Sequence, residues 1–302
     1  MPQDQAKTSA GQRTLSGRVK GGQEMLSRLA GAILRAALVV LLIIIPSVML
    51  PGTGPDTAMI VAFLAILAAA FTLVEYTSIY PSLVEFRHAP PFNRIRFGAL
   101  LVTVMILSLI LRGQNSPDTL TQIFWLLGTR IGEAIDFPYS PVRLVVLMLP
   151  ATADAAQIEH VRVAAGISYL VSILSLILFV IVLRFGGWPN NSAGFNVWVN
   201  LPTFDPTAGG DVLARLSRDS QFNLVLGFLL PFLIPALVKL AADVFDPVTL
   251  GDPHTLIWTM TAWAFLPASL LMRGLALARV AQMIGEQRRR AYAASGQKEQ
   301  PA

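Results

Sequence analysis

Apolar residues in this chain come in long unbroken runs, not in alternation. Six runs are long enough to cross a bilayer as helix, which takes about 20 residues. They cover residues 29–50, 57–80, 97–111, 163–183, 222–242 and 256–275. The third is the shortest and is bracketed by Arg96 and Arg112. A membrane-spanning strand would alternate apolar and polar positions, so continuous runs select helices. The pattern predicts an all-α, polytopic bundle of six transmembrane helices.

The segments between these runs are polar, or broken by proline and glycine. Residues 1–28 read as a disordered basic leader. The apolar run after it exceeds the 7–15 residues usual in a signal peptide, so it reads as an uncleaved first span. Residues 51–56 hold two prolines and two glycines, a tight turn. In the loop 81–94, Pro81, Pro90 and Pro91 stop helix formation. Its mixed charge marks Glu85, Arg87, Pro90, Pro91, Asn93 and Arg94 as candidate docking residues.

Residues 113–162 form a loop too long to be a simple connection. Within it Leu120, Ile123, Phe124, Leu127, Ile131 and Ile135 recur at helical spacing. They predict an amphipathic helix over 119–135, lying in the interface with that ridge as its apolar face. Residues 142–149 are apolar but too short to cross, so they are either re-entrant or packed on the bundle. Trp188 and Trp198, in the loop 184–221, read as interface anchors. Residues 286–302 form a basic tail.

Composition agrees with a membrane chain. Of 302 residues, 54% are hydrophobic and 14% charged, and the mean hydropathy is +0.60. Soluble domains carry about 25% charged residues, and disordered chains need low hydrophobicity with high charge. The pI near 9.9 follows from where the bases sit. Of the 23 Lys and Arg, only Arg112, Arg130, Arg143 and Arg162 fall in segments on one side, while Arg35 and Lys239 lie inside spans. The positive-inside rule then places both termini in the cytoplasm, which requires an even number of spans. The expected partners are the lipid bilayer, anionic lipids at the cytoplasmic face and other membrane proteins. Nucleic acid is not expected. The Arg-heavy, Ala-rich composition points to a bacterial inner (plasma) membrane.

Charged groups inside spans are the default functional candidates. Here they are Arg35, Glu75 and Lys239, and the similar depth of Arg35 and Glu75 suggests an ion pair between neighbouring spans. Pro231 and Pro235 are a candidate break in span five, of the kind transporters use. With no cysteine there is no thiolate nucleophile and no Cys-ligated metal. His88, His160 and His254 stand alone in separate loops. No Walker, G-x-S-x-G, H-E-x-x-H or dinucleotide motif occurs. No cofactor, metal site or catalytic residue is expected. The sequence favours a non-catalytic accessory, scaffold or assembly subunit of a membrane complex. The alternative is a small-molecule or ion transporter or permease subunit using Glu75 and the proline-broken span five.

Overall fold

The computed structural model describes residues 3–189, 197–205, 207, 209–242 and 250–298. All regular structure among them is helical. In chain order the helices are α1 (Gln3–Met49), α2 (Pro55–Thr77), α3 (Phe92–Arg112), α4 (Thr119–Ile135), α5 (Pro141–Leu147), α6 (Ala155–Phe185), α7 (Val197–Asn200), α8 (Val212–Ala242) and α9 (Pro253–Lys298). Six of these (α1, α2, α3, α6, α8 and α9) are long and apolar enough to cross a membrane. The chain is a multi-pass helical membrane protein. The end of the bundle holding the 81–94 loop and residues 186–189, 197–205 and 209–211 is the basic end, and the opposite end the far end.

Helix boundaries depart from the apolar windows where polar residues can continue a helix into the interface. α1 runs back to Gln3 through the polar leader, which composition alone reads as disordered. α3 begins at Phe92, so Arg94 and Arg96 lie in its first turns. α2 stops earlier than its apolar run: Ser78 turns extended, at φ −60° and ψ 143°, leaving Ile79 and Tyr80 exposed beyond the helix. Residues 243–249 lie outside the described residues.

α9 is the hub of the bundle, packing on α1, α3, α6 and α8. α6 packs on α9, α3, α4 and α5. α1 and α2 form a hairpin joined to the rest through α1. Among the described helices, α2 packs on α1 alone. Its buried residues are Ala65 and Glu75, while Met59, Ile60, Phe63, Leu64, Ile66 and Phe71 are exposed.

Two cores hold the bundle. The far-end core gathers Val104, Leu107, Val142, Val145, Val161, Ile257 and Met260. The basic-end core is aromatic, with the ring centroids of Phe86 and Phe92 4.6 Å apart and those of Phe92 and Phe179 5.4 Å apart. Trp188 belongs to this core. It is 2% exposed and its indole N–H donates to the Ala89 carbonyl at 3.0 Å, so it is a core residue and not an interface anchor. The Trp198 side chain lies outside the described residues.

α4 occupies the residues whose spacing predicts a helix, and its apolar ridge is split, with Phe124, Ile131 and Ile135 packed against the far-end core and the rest turned away from it. Leu120, Ile123, Leu126 and Leu127 point away from the bundle and are exposed. The buried positions are Thr121, Gly128 and Gly132. A Cβ on Gly166 of α6 would stand 2.8 Å from the Gly132 Cα, so the two backbones touch there. Small residues let helices approach closely in a membrane, and that contact decides which side of α4 faces inward. α5 packs on α6 and α8, burying Val142, Val145 and Val146.

Candidate functional site

Glu75 and Arg87 make a reciprocal clasp where α2 ends. The Glu75 carboxylate is buried and accepts from the backbone N–H groups of Ser82 (3.1 Å), Leu83 (3.0 Å) and Val84 (3.0 Å), and from the Ser82 hydroxyl. In return Arg87 donates to the carbonyls of Glu75, Ser78 (2.8 Å) and Ile79 (3.2 Å). The last carbonyls of a helix lack intrahelical donors and attract a cation. Each residue thus satisfies backbone groups on the other's segment.

The expected Glu75–Arg35 ion pair is not formed. Arg35 lies over the Tyr76 ring, 4.6 Å from its centroid, and donates to the Gly31 carbonyl at 2.6 Å. Glu75 and Tyr76 are successive residues, about 100° apart around α2, so Arg35 can meet one and miss the other.

The rest of the 81–94 loop is tied inward. Glu85 forms a bidentate pair with Arg273 of α9, at 2.7 and 2.8 Å, and accepts from Thr203. Asn93 donates to the Glu85 carbonyl at 2.7 Å. The backbone N–H groups of Phe86 and His88 donate to the Asn200 carbonyl and side chain. Phe86 sits at φ 53°, a left-handed conformation that a bulky residue adopts only when its surroundings impose it. Those surroundings are the Asn200 bond and a fully buried ring. Of the candidate docking residues, Glu85, Arg87 and Asn93 therefore serve internal structure. Pro91 is the N-cap position of α3, while Pro90 and Arg94 remain exposed.

Those exposed groups border a cavity of about 560 Å³. α1 contributes Arg35, Leu38 and Val39. α2 contributes Thr72 and Tyr76, and α3 contributes Asn93, Arg94 and Phe97. The loop closes it with Val84, Phe86, Arg87, His88 and Pro90. α2 and α3 both pack on α1 but not on each other, so the cavity lies in the gap between them. Among the described residues, no Asp or Glu lines it. Partial desolvation, with Arg87, Arg28 and Arg35 nearby, holds the His88 imidazole below its ordinary pKa and favours the neutral ring. Its Nε2 then accepts from Arg87 Nε at 3.2 Å.

The remaining candidates lie elsewhere. Lys239 of α8 donates to the Leu149 carbonyl at the far end, at 3.3 Å. Pro231 and Pro235 both lie inside α8. A proline leaves a carbonyl one turn earlier without its usual donor. The Pro231 carbonyl, itself opposite Pro235, accepts from the Trp263 indole at 3.2 Å. The structure brings Arg35 together with the 81–94 loop, but not with Glu75's carboxylate or Lys239.

Two structural features escaped the sequence reading. One is the Gly128–Gly132–Gly166 contact, which the G-x-x-x-G spacing on α4 signals. The other is the far-end charge cluster in which Asp136 pairs with Arg143 and Arg162, both at 2.9 Å. Both cations were legible there, but their convergence on one buried acid was not. No known protein family, curated protein or solved structure matches this chain.

Proposed function

We propose that this chain is a non-catalytic accessory subunit, a scaffold or assembly factor, of a membrane complex. We place it in a bacterial inner membrane with the basic end in the cytoplasm. The observation that carries this reading is α2, a full span that packs on α1 alone and leaves its apolar side chains uncovered. Lipid covers such a face as readily as protein does, but a span held by a single neighbour has its remaining sides free for a second subunit's helix. The polar groups of the spans add support, because Glu75, Lys239 and the Pro231 carbonyl are engaged by internal partners.

The test is purification of the full chain from its own membrane in mild detergent, with mass spectrometry of what accompanies it. A stoichiometric second protein is expected, and Phe63→Ala/Ile66→Ala should release it while the chain still inserts. A lone chain or a homo-oligomer would overturn the reading. The second reading, a transporter or permease subunit, draws support from the two prolines within α8. It requires that Glu75→Gln abolish transport while leaving the fold unchanged.

A further inference from the structure

The geometry points to the cavity between α2 and α3 as a binding site for one anionic amphiphile, a phosphate-bearing headgroup with a hydrocarbon tail. Charge is the first argument. Arg35, Arg87 and Arg94 border the space beside the neutral His88 ring, no described carboxylate lines it, and only Arg87 has an acid, Glu75, close enough to offset its charge. Arg94 has no ion-pair partner among the described residues, and Arg35 is held by a ring and a carbonyl but by no acid. An anion entering here meets Arg35 and Arg94, whose charge no carboxylate compensates.

Depth is the second argument, and α1 and α3 both show it. On α1 the lining passes from Arg35 to Leu38 and Val39, one turn further from the basic end. On α3 it passes from Arg94 to Phe97, and on α2 from Tyr76 to Thr72, whose hydroxyl is bonded to the Ala68 carbonyl. One helical turn is about 5 Å. The cations thus ring the basic-end side of the space, and on α1 and α3 an apolar lining follows toward the membrane centre. A free inorganic anion would use the ring and leave the apolar part unfilled. An amphiphile uses both.

Access is the third argument. α2 and α3 do not pack on each other, so the gap between them faces the hydrocarbon region sideways, with α1 behind and the 81–94 loop across the basic end. A lipid enters such a gap without leaving the bilayer. The cavity volume falls within the 300–1,000 Å³ usual for a ligand site. This inference is independent of the accessory reading and stands or falls separately from it.

The test is native mass spectrometry of the full-length chain with phosphatidylglycerol, phosphatidylcholine and inorganic phosphate as probes. One phosphatidylglycerol per chain should be retained, and phosphatidylcholine should not. Millimolar phosphate should not displace the bound lipid. Arg35→Gln/Arg94→Gln should weaken retention by at least about tenfold, about 1.4 kcal/mol. Val39→Trp, which fills the apolar part and spares every cation, should do the same. Should the double variant fail to fold, the wild-type chain supplies a second readout. Phosphatidylglycerol should raise the His88 titration midpoint in NMR, because an anion offsets the arginines around it, while phosphatidylcholine leaves it in place. Four results would overturn the proposal: equal retention of both lipids, displacement by phosphate alone, a His88 midpoint that ignores the anionic lipid, or a protein subunit seated in the gap.

Discussion

Glu75→Gln separates a structural carboxylate from a transport site. In this structure Glu75 holds the turn that follows α2, accepting three backbone N–H groups and one hydroxyl through two oxygens. Glutamine keeps one acceptor oxygen and puts an NH2 group where the other was. With that NH2 at the Oε1 position, the Leu83 and Val84 N–H groups keep their acceptor, the Ser82 N–H loses one of its two, the Ser82 hydroxyl must turn to accept, and every remaining bond loses its charge assistance. A hydrogen bond to a charged acceptor contributes about 1.5–3 kcal/mol when desolvated. Ser82 and Leu83 are exposed, so solvent compensates part of the loss. About 2 kcal/mol is the resulting cost, or about a thirtyfold rise in local opening. Hydrogen exchange at the Ser82, Leu83 and Val84 amides measures that opening directly. Their protection should fall about thirtyfold, and trypsin should gain access to Arg87 and Arg94. Arg87→Gln should weaken the same amides, and the double variant should cost less than the two singles added, because one clasp is being broken twice. Protection unchanged within about twofold in Glu75→Gln would refute the clasp.

Two further predictions follow from the backbone contacts and caps. Gly166→Ala places a Cβ 2.8 Å from the Gly132 backbone, so α4 and α6 must separate; overpacking of this kind costs about 1–3 kcal/mol. Gly98→Ala in α3 meets nothing within 4 Å and should gain about 0.5–1 kcal/mol from helix propensity, so thermal melts of the two variants should move in opposite directions. Asp118 caps α4 by accepting from the Thr121 N–H at 2.8 Å, and that bond holds its carboxyl below the usual carboxylate range. Its folded pKa is thus depressed. The cap's contribution is complete above the unfolded pKa and is lost as pH falls through the folded one. Exchange protection of the first amides of α4 should decline across that acidic window in the wild type and be independent of pH there in Asp118→Asn.

The spans were legible because lipid imposes the simplest of sequence rules. A crossing helix must be apolar over its whole length, whatever it packs against. Helix ends were less legible, since α6, α8 and α9 carry polar residues well past their apolar cores. The inward face of α4 was only partly legible, for a physical reason. Hydrophobic periodicity finds the ridge Leu120–Ile123–Leu127, but in a membrane an apolar ridge is as comfortable in lipid as in the bundle. Gly132 sets the contact because only glycine lets the α6 backbone approach, and Gly128 leaves room for the Val163 side chain. The partner of Arg35 was missed because depth fixes a residue's height along the membrane but not its rotation about the helix axis. The role of Glu75 was missed because its partners are backbone groups seven to nine residues on, placed by a turn that carries no motif. The 81–94 loop advertises its charges as docking groups. Whether they face outward depended on Arg273 and Asn200, more than a hundred residues away in the chain.

The free side of α2 is where a partner subunit would sit. Site-specific photo-crosslinking in intact cells tests it, with the probe placed at Ile66 of α2 and, for comparison, at Leu174 of α6, both exposed to the membrane. A single discrete adduct of the chain with a second protein from Ile66, absent from Leu174, is the predicted result. Adducts with lipid alone, with a second copy of the chain, or with the same protein from both positions would contradict it.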